Sequence, residues 1–182
     1  MLYYITGNKN KIAIAEKFLK PLGIIFEPKS LDVEEIQSDN IDEVTIHKAK
    51  GAYSKLKEPL IVTDHFWSIP ALGGFPGAYM KYINQWLTPQ DFLNLMTNKN
   101  DRKAILTEMI CYTDGQTIKI FSGVHVGKVL QKQQGEGLST QTVISLSEDG
   151  ISIARKLESD ASALDKGTVW EDFAKWYKNY SK

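Results

Sequence analysis

Hydrophobic positions along this chain recur with two different periods. Leu2 to Ile5 form a short apolar run that halts at Thr6-Gly7-Asn8, which predicts a buried strand. Beyond it Ile12, Ala15 and Leu19 fall near one face, predicting a helix to about Lys20 that Pro21 ends. Residues 24–26 predict a second strand. A polar, acidic segment over 32–42 leads into another helix, where Ala49, Ala52, Tyr53 and Leu56 repeat at i, i+3, i+4 and i+7. Pro59 punctuates it, and Leu60-Ile61-Val62 predicts a third buried strand running into Thr63-Asp64.

The middle of the chain is loop-like, with Pro70, Gly73, Gly74, Pro76 and Gly77 close together. Thr88-Pro89 predicts a helix start, Thr as the cap and Pro at the first helical position. Residues 104–112 and 117–129 predict two long strands joined at Asp114-Gly115 as a hairpin. A further strand is expected near 142–146. Thr168 and Glu171 have capping-box spacing, and Val169, Trp170, Phe173, Trp176, Tyr177 and Tyr180 then mark an aromatic amphipathic helix. This order predicts an α/β fold: a mixed twisted sheet with flanking helices, in two lobes around a central cleft. No repeat or low-complexity linker interrupts the sequence, so one domain over 1–182 is expected.

Composition narrows the class. A chain of 182 residues, 42% hydrophobic, can bury one sizeable core or two lobes. Its 22 basic and 22 acidic side chains cancel, which argues against a broad footprint for a nucleic acid polymer or an anionic membrane. A small anionic substrate held by a few local lysines remains allowed. The Gln- and Lys-rich stretch near residue 130 lacks adjacent stacking aromatics and reads as a solvated loop. No apolar run approaches the ~20 residues of a membrane span, and Met1 to Ile5 lack the features of a signal peptide. Cys111 is the only cysteine and falls in a strand, so a core role in a reducing, cytoplasmic setting is expected.

Two places could carry chemistry. Thr6-Gly7-Asn8-Lys9-Asn10-Lys11 joins a strand to a helix, whose N-terminus offers unpaired N–H groups and partial positive charge to a phosphate. Gly7 would allow close backbone approach and Lys11 an ion pair; an ordinary N-cap with solvated lysines fits the same residues equally well. Asp64, at the end of an aliphatic strand, stands where open α/β sheets bind ligands and suits a hard cation such as Mg²⁺; a turn cap is the alternative. Asp32, Glu34 or Glu35 could supply a second carboxylate. His47 and His65 have no zinc-ligand spacing with other His or Cys residues.

Together these segments resemble the inosine triphosphate pyrophosphatase family, which removes deaminated purine nucleotides. Thr6-Gly7-Asn8 with Lys11 is similar to its opening T-G-N-x-x-K, and the likeness continues through Glu35-Ile36-Gln37 and Asp42 to Ala49. The most specific stretch is Ala71-Leu72-Gly73-Gly74-Phe75-Pro76-Gly77-Ala78-Tyr79 with Lys81, preceded at a fitting distance by Asp64. Asp101-Arg102-Lys103-Ala104, Phe121-Ser122-Gly123 and Gly127-Lys128-Val129 resemble the family hairpin, so the likeness spans about residues 2–130. It implies cleavage of a nucleoside triphosphate to the monophosphate and pyrophosphate. Glu35 and Asp64 would hold Mg²⁺, with Mn²⁺ as the alternative. Asp64 and Lys11 would be catalytic, and Thr6, Gly7, Asn8, Lys11 and Lys81 would bind phosphate. A cytoplasmic homodimer is also implied.

The departures are local. Thr63 stands where the family has a second acid, His65 where it has a small polar residue, and Ile14 where it has a glutamate. The family's G-F-G-(W/Y)-D-P is replaced by Gly137-Leu138-Ser139-Thr140-Gln141-Thr142, and its later K-N…S-H-R is missing from 163–169. A pocket without those donors loses its basis for discrimination, so altered base specificity is expected, with Ser139, Thr140, Gln141, Lys166 and Thr168 as base contacts. The alternative is a non-catalytic nucleotide-binding or regulatory module of the same descent.

Overall fold

The computed structural model describes residues 1–159 and 167–180. The elements run β1 (Leu2–Ile5), α1 (Lys9–Leu19), β2 (Phe26–Lys29), α2 (Ile41–Leu56), β3 (Leu60–Ser68), β4 (Pro76–Gly77), α3 (Met80–Trp86), α4 (Pro89–Leu95), β5 (Lys103–Thr113), β6 (Ile118–Val129), α5 (Ser139–Val143), β7 (Ile144–Ser145), α6 (Ile153–Ser159) and α7 (Thr168–Tyr180). Parallel and antiparallel pairings coexist, as expected of a mixed α/β sheet. The chain divides into two compact units. The first holds residues 1–65, 108–123 and α7; the second holds 66–107 and the segment from 124 through α6.

In the first unit β1 lies between β2 and β3, parallel to both, with Leu2 facing Phe26 and Tyr3 facing Leu60. The chain leaves β1 through α1 to β2 on one side, then returns through α2 to β3 on the other. Ligands in such sheets bind beside this reversal, at the carboxyl ends of the strands. Because strand side chains alternate between faces, two cores form. Tyr4, Ile61, Ile110 and Tyr112 pack with Ala15 and Leu19 of α1 and with Trp170 and Phe173 of α7. Ile5, Leu60, Val62 and Cys111 pack with Ala49 and Ala52 of α2. Burial pushes the Cys111 thiol up to about 12, in keeping with a core role.

The second unit has its own core, in which Trp67, Ile69, Phe92, Met96, Val129, Ile144 and Ile153 meet. Thr88 and Asp91 form a full capping box at the start of α4, with Pro89 at the first helical position. The β6 and β7 backbones approach closely at Gly127, where an added Cβ would lie 2.1 Å from the Ser145 carbonyl oxygen. Gly127→Ala must force the two strands apart. We expect it to destabilise the protein by about 1–3 kcal/mol, read as a lowered midpoint in thermal unfolding.

Several elements differ from the sequence expectation. Strand β2 begins at Phe26, because Gly23 turns the chain in a left-handed conformation and Ile24 returns its N–H to Leu19 and is buried against α1. Strand β3 continues to Ser68, pairing with β4 through Trp67–Gly77 and Ser68–Pro76, so Asp64 stands inside the strand and not after it. Within 142–146 only Ile144 and Ser145 are strand, since α5 takes the residues before them. Helix α7 starts at Thr168, and Glu171 donates its N–H to the Gly167 carbonyl; Thr168 is therefore the first helical residue rather than the cap. Among the described residues no helix is long and apolar enough to cross a membrane.

Candidate active site

The turn after β1 is built by its own polar groups. Thr6 ties to β2 through its N–H and the Lys29 carbonyl, and its hydroxyl accepts the Asn8 N–H at 3.1 Å. Asn8 is the N-cap of α1: its side-chain oxygen accepts the N–H groups of Asn10 at 2.9 Å and Lys11 at 3.3 Å. Asn8 therefore does the work of a cap, one of the two roles its position allowed. A Cβ on Gly7 would come within 3.2 Å of the Ser30 hydroxyl, so the glycine lets β1 and the end of β2 approach.

Lys11 does not behave as a solvated lysine. It is half-buried and donates from Nζ to the Thr63 carbonyl of β3 at 3.3 Å. Burial lowers its pKa from the ordinary lysine value, and the carboxylate of Asp64 opposes that shift. Among the described residues Lys11 has no ion pair within 4 Å, and a desolvated ammonium of this kind is well suited to receive an anionic ligand.

Asp64 and Glu35 converge on Lys48 of α2, whose Nζ lies 2.7 Å from Glu35 Oε1 and 3.3 Å from Asp64 Oδ2. Burial acts to lower the Lys48 pKa, but Asp64 and Glu35 outweigh it and the net direction is upward. The other Asp64 oxygen accepts the backbone N–H of His65 at 2.9 Å. Glu35 sits outside any regular element. Leu31 and Val33 bring it in, since both pack on the core beneath α2, and Gly51 of α2 makes room for Val33.

On the opposite face of β3, the Thr63 hydroxyl bonds to the Tyr4 hydroxyl at 2.7 Å. Next to it Glu108 of β5 is buried, 5% exposed. Its Oε1 accepts the indole N–H of Trp170 at 3.2 Å and lies 3.5 Å from His65 Nε2. The first unit thus brings together Thr6, Gly7, Asn8, Lys11, Glu35 and Asp64. Lys48 and Glu108 join them, although the sequence assigned neither a role. Lys48 lies inside the stretch that carries the family resemblance, and Glu108 is the one carboxylate of β5, two residues before Ile110.

Lys81 is on α3, in the second unit. Ser139 and Thr140 begin α5, buried, and their hydroxyls both point to Asn84 Oδ1, at 3.2 and 2.9 Å. That arrangement braces α5 on α3 instead of presenting donors to a base. Gln141 follows them, half-buried, and Thr168 is exposed at the start of α7. Lys166 lies outside the described residues. Among the described residues no three His, Cys, Asp or Glu side chains are arranged to hold a metal ion.

Fold and site define an α/β protein with cationic and acidic groups gathered after β1 and at the middle of β3, beside a strand-order reversal. The chain belongs to the Ham1 family, whose sequence profile matches residues 2–140. A dITP/XTP pyrophosphatase of Thermococcus kodakarensis is 30% identical, the match covering 100% of this chain and 99% of that relative. One from Methanopyrus kandleri is 31% identical over 97% of this chain and 95% of its own. Among solved structures, a HAM1 protein from Coxiella burnetii superposes with a TM-score of 0.80 at 21% identity, covering 98% of each chain.

Proposed function

We propose that this chain is a metal-dependent nucleoside triphosphate pyrophosphohydrolase, which converts an NTP or dNTP to the monophosphate and pyrophosphate. The observation that carries the reading is the convergence of Lys11, Lys48, Glu35 and Asp64 on the middle of β3. The substrate class is supported by the relatives named dITP/XTP pyrophosphatases.

The donor set fits a divalent cation. Glu35 and Asp64 already direct oxygens to one positively charged point, the Lys48 ammonium. Hard oxygen donors of this kind suit Mg²⁺ or Mn²⁺, and Mg²⁺ takes one or two protein carboxylates with the rest from water and substrate phosphates. When bound, the ion would supply charge neutralisation on the phosphates. The chain's own residues do the rest. Lys11, fixed by the Thr63 carbonyl, pairs with a phosphate oxygen, and Thr6, Gly7 and Asn8 hold the turn that presents it. Asp64 or a neighbouring residue orients the attacking water. A water oxygen bonds to the α-phosphorus, and the bond from that phosphorus to the α,β-bridging oxygen breaks. Pyrophosphate leaves with the electron pair, and the water's protons pass to solvent.

Altered base specificity belongs to the same reading. It rests on the replaced segment 137–142 and on the inward-turned hydroxyls of Ser139 and Thr140, which leave Gln141, Lys166 and Thr168 as the base contacts to test. Pyrophosphate release with Mg²⁺ should be measured across canonical, deaminated and modified ribo- and deoxynucleoside triphosphates. At least one nucleotide should turn over, and a chelator should lower that rate by about 10²-fold or more. Silence across the panel with nucleotide binding retained would instead identify a non-catalytic nucleotide-binding module. Turnover unaffected by the chelator would remove the metal from the account.

A further inference from the structure

A buried carboxylate needs a reason. Glu108 shares its strand face with Ile110 and Tyr112, which belong to the apolar core against α1 and α7. A carboxylate there costs several kcal/mol in lost hydration unless polar partners compensate it. Two of its partners are the Trp170 indole N–H at 3.2 Å and the His65 imidazole Nε2 at 3.5 Å, both at the same oxygen. Trp170 is almost wholly buried, so that side of the carboxylate is fixed by packing. The His65 side chain is 35% exposed and is the part of this cluster open to a ligand.

The placement of His65 follows from strand alternation. Residues 61, 63 and 65 of β3 share the α1/α7 face, whereas Asp64 points to the α2 face with Lys48. Lys11 comes from α1 and bonds at Thr63, two residues before His65. Positions i and i+2 of a strand are about 7 Å apart, the span of a phosphoryl group plus one water. Burial lowers the Lys11 pKa, and the Glu108 charge is among those that oppose that shift. Asp64, by contrast, is already engaged at both oxygens, by the His65 N–H and by Lys48.

We propose that Glu108 is a positioning residue that holds Nε2 of His65, so that the other ring nitrogen accepts a hydrogen bond from the attacking water and orients it toward the α-phosphorus. This rests on the pyrophosphohydrolase reading. Glu108 lies 3.5 Å from Nε2, and in the neutral ring whose proton is on that nitrogen Nδ1 carries the lone pair that accepts. The buried carboxylate sets the ring's orientation, and α7 sets the carboxylate through Trp170.

The test uses the full chain, Mg²⁺, and as probe whichever of dITP, XTP and the canonical nucleoside triphosphates the parent turns over fastest. Turnover by the parent protein tests the enzyme reading; the ratio of each variant to the parent tests this proposal. His65→Ala should lower kcat by about 10²-fold with KM within about threefold, since water orientation acts on the chemical step and not on substrate binding. Glu108→Gln retains an acceptor and should keep most of the rate, whereas Glu108→Ala should fall to the level of His65→Ala. The double variant should be no slower than either single one, because the two residues act as a unit. His65→Ala replaces a partly exposed ring and so carries the test even if Glu108→Ala fails to fold. A His65→Ala kcat within threefold of the parent, a loss confined to KM, or a Glu108→Gln protein as slow as Glu108→Ala overturns the proposal.

Discussion

Asp64→Asn should reduce pyrophosphate release by about 10³-fold or more, equivalent to about 4 kcal/mol of transition-state stabilisation. The substitution keeps the shape of the side chain and removes its charge. In the proposed function that charge is what Asp64 contributes, both toward a divalent cation and in the field around Lys11. Stability should change little by comparison, because Lys48 keeps its contact with Glu35 at 2.7 Å and the site is partly open to solvent. Initial rates on the best nucleotide, with thermal unfolding of the same preparation, separate the two effects. A variant within tenfold of the parent rate would place the chemistry away from Asp64.

Trp170→Ala should have the largest effect on folding. The indole is 1% exposed, meets Tyr4 edge-on at 5.8 Å, and donates to Glu108. Truncating a buried aromatic of this size costs about 3–5 kcal/mol, and the lost donor leaves a buried carboxylate short of one partner. A chain of this size has only about 5–15 kcal/mol of stability, so a midpoint drop on the order of 10 °C is expected. Trp170→Phe, which keeps the ring packing and loses the N–H, should fall between. If Trp170→Ala melts within a few degrees of the parent, α7 does not anchor the first core.

The elements that could be read from the sequence were those whose burial pattern is their own. Helices α1, α2 and α7 carry apolar positions at helical spacing, and β1, β5 and β6 are long or strongly apolar runs. The short helices α3, α5 and α6 have too few turns to show a period, and they exist through contacts with the second core. The extension of β3 was hidden because its last residues are held by β4, a partner of two residues that sequence alone does not announce. The site divides in the same way. Gly7 and Asn8 form one local turn and Lys11 lies in the first turn of α1 that Asn8 caps, so their chemistry is written within five residues of sequence. Lys48 and Glu108 act only through tertiary contacts with Asp64, Glu35, His65 and Trp170.

Residues 60 to 65 of β3 interleave two surfaces, with Leu60, Val62 and Asp64 on one and Ile61, Thr63 and His65 on the other. The α2 surface and the α1/α7 surface therefore mutate on separate tracks. A substitution at 63 or 65 can remodel one without touching the packing that sets the other. Length is a different matter: deleting one residue between Leu60 and Asp64 would turn the carboxylate into the α1/α7 core and the aliphatic chains toward the opposite helix. Divergence along this strand is thus free to proceed by replacement and closed to insertion or deletion.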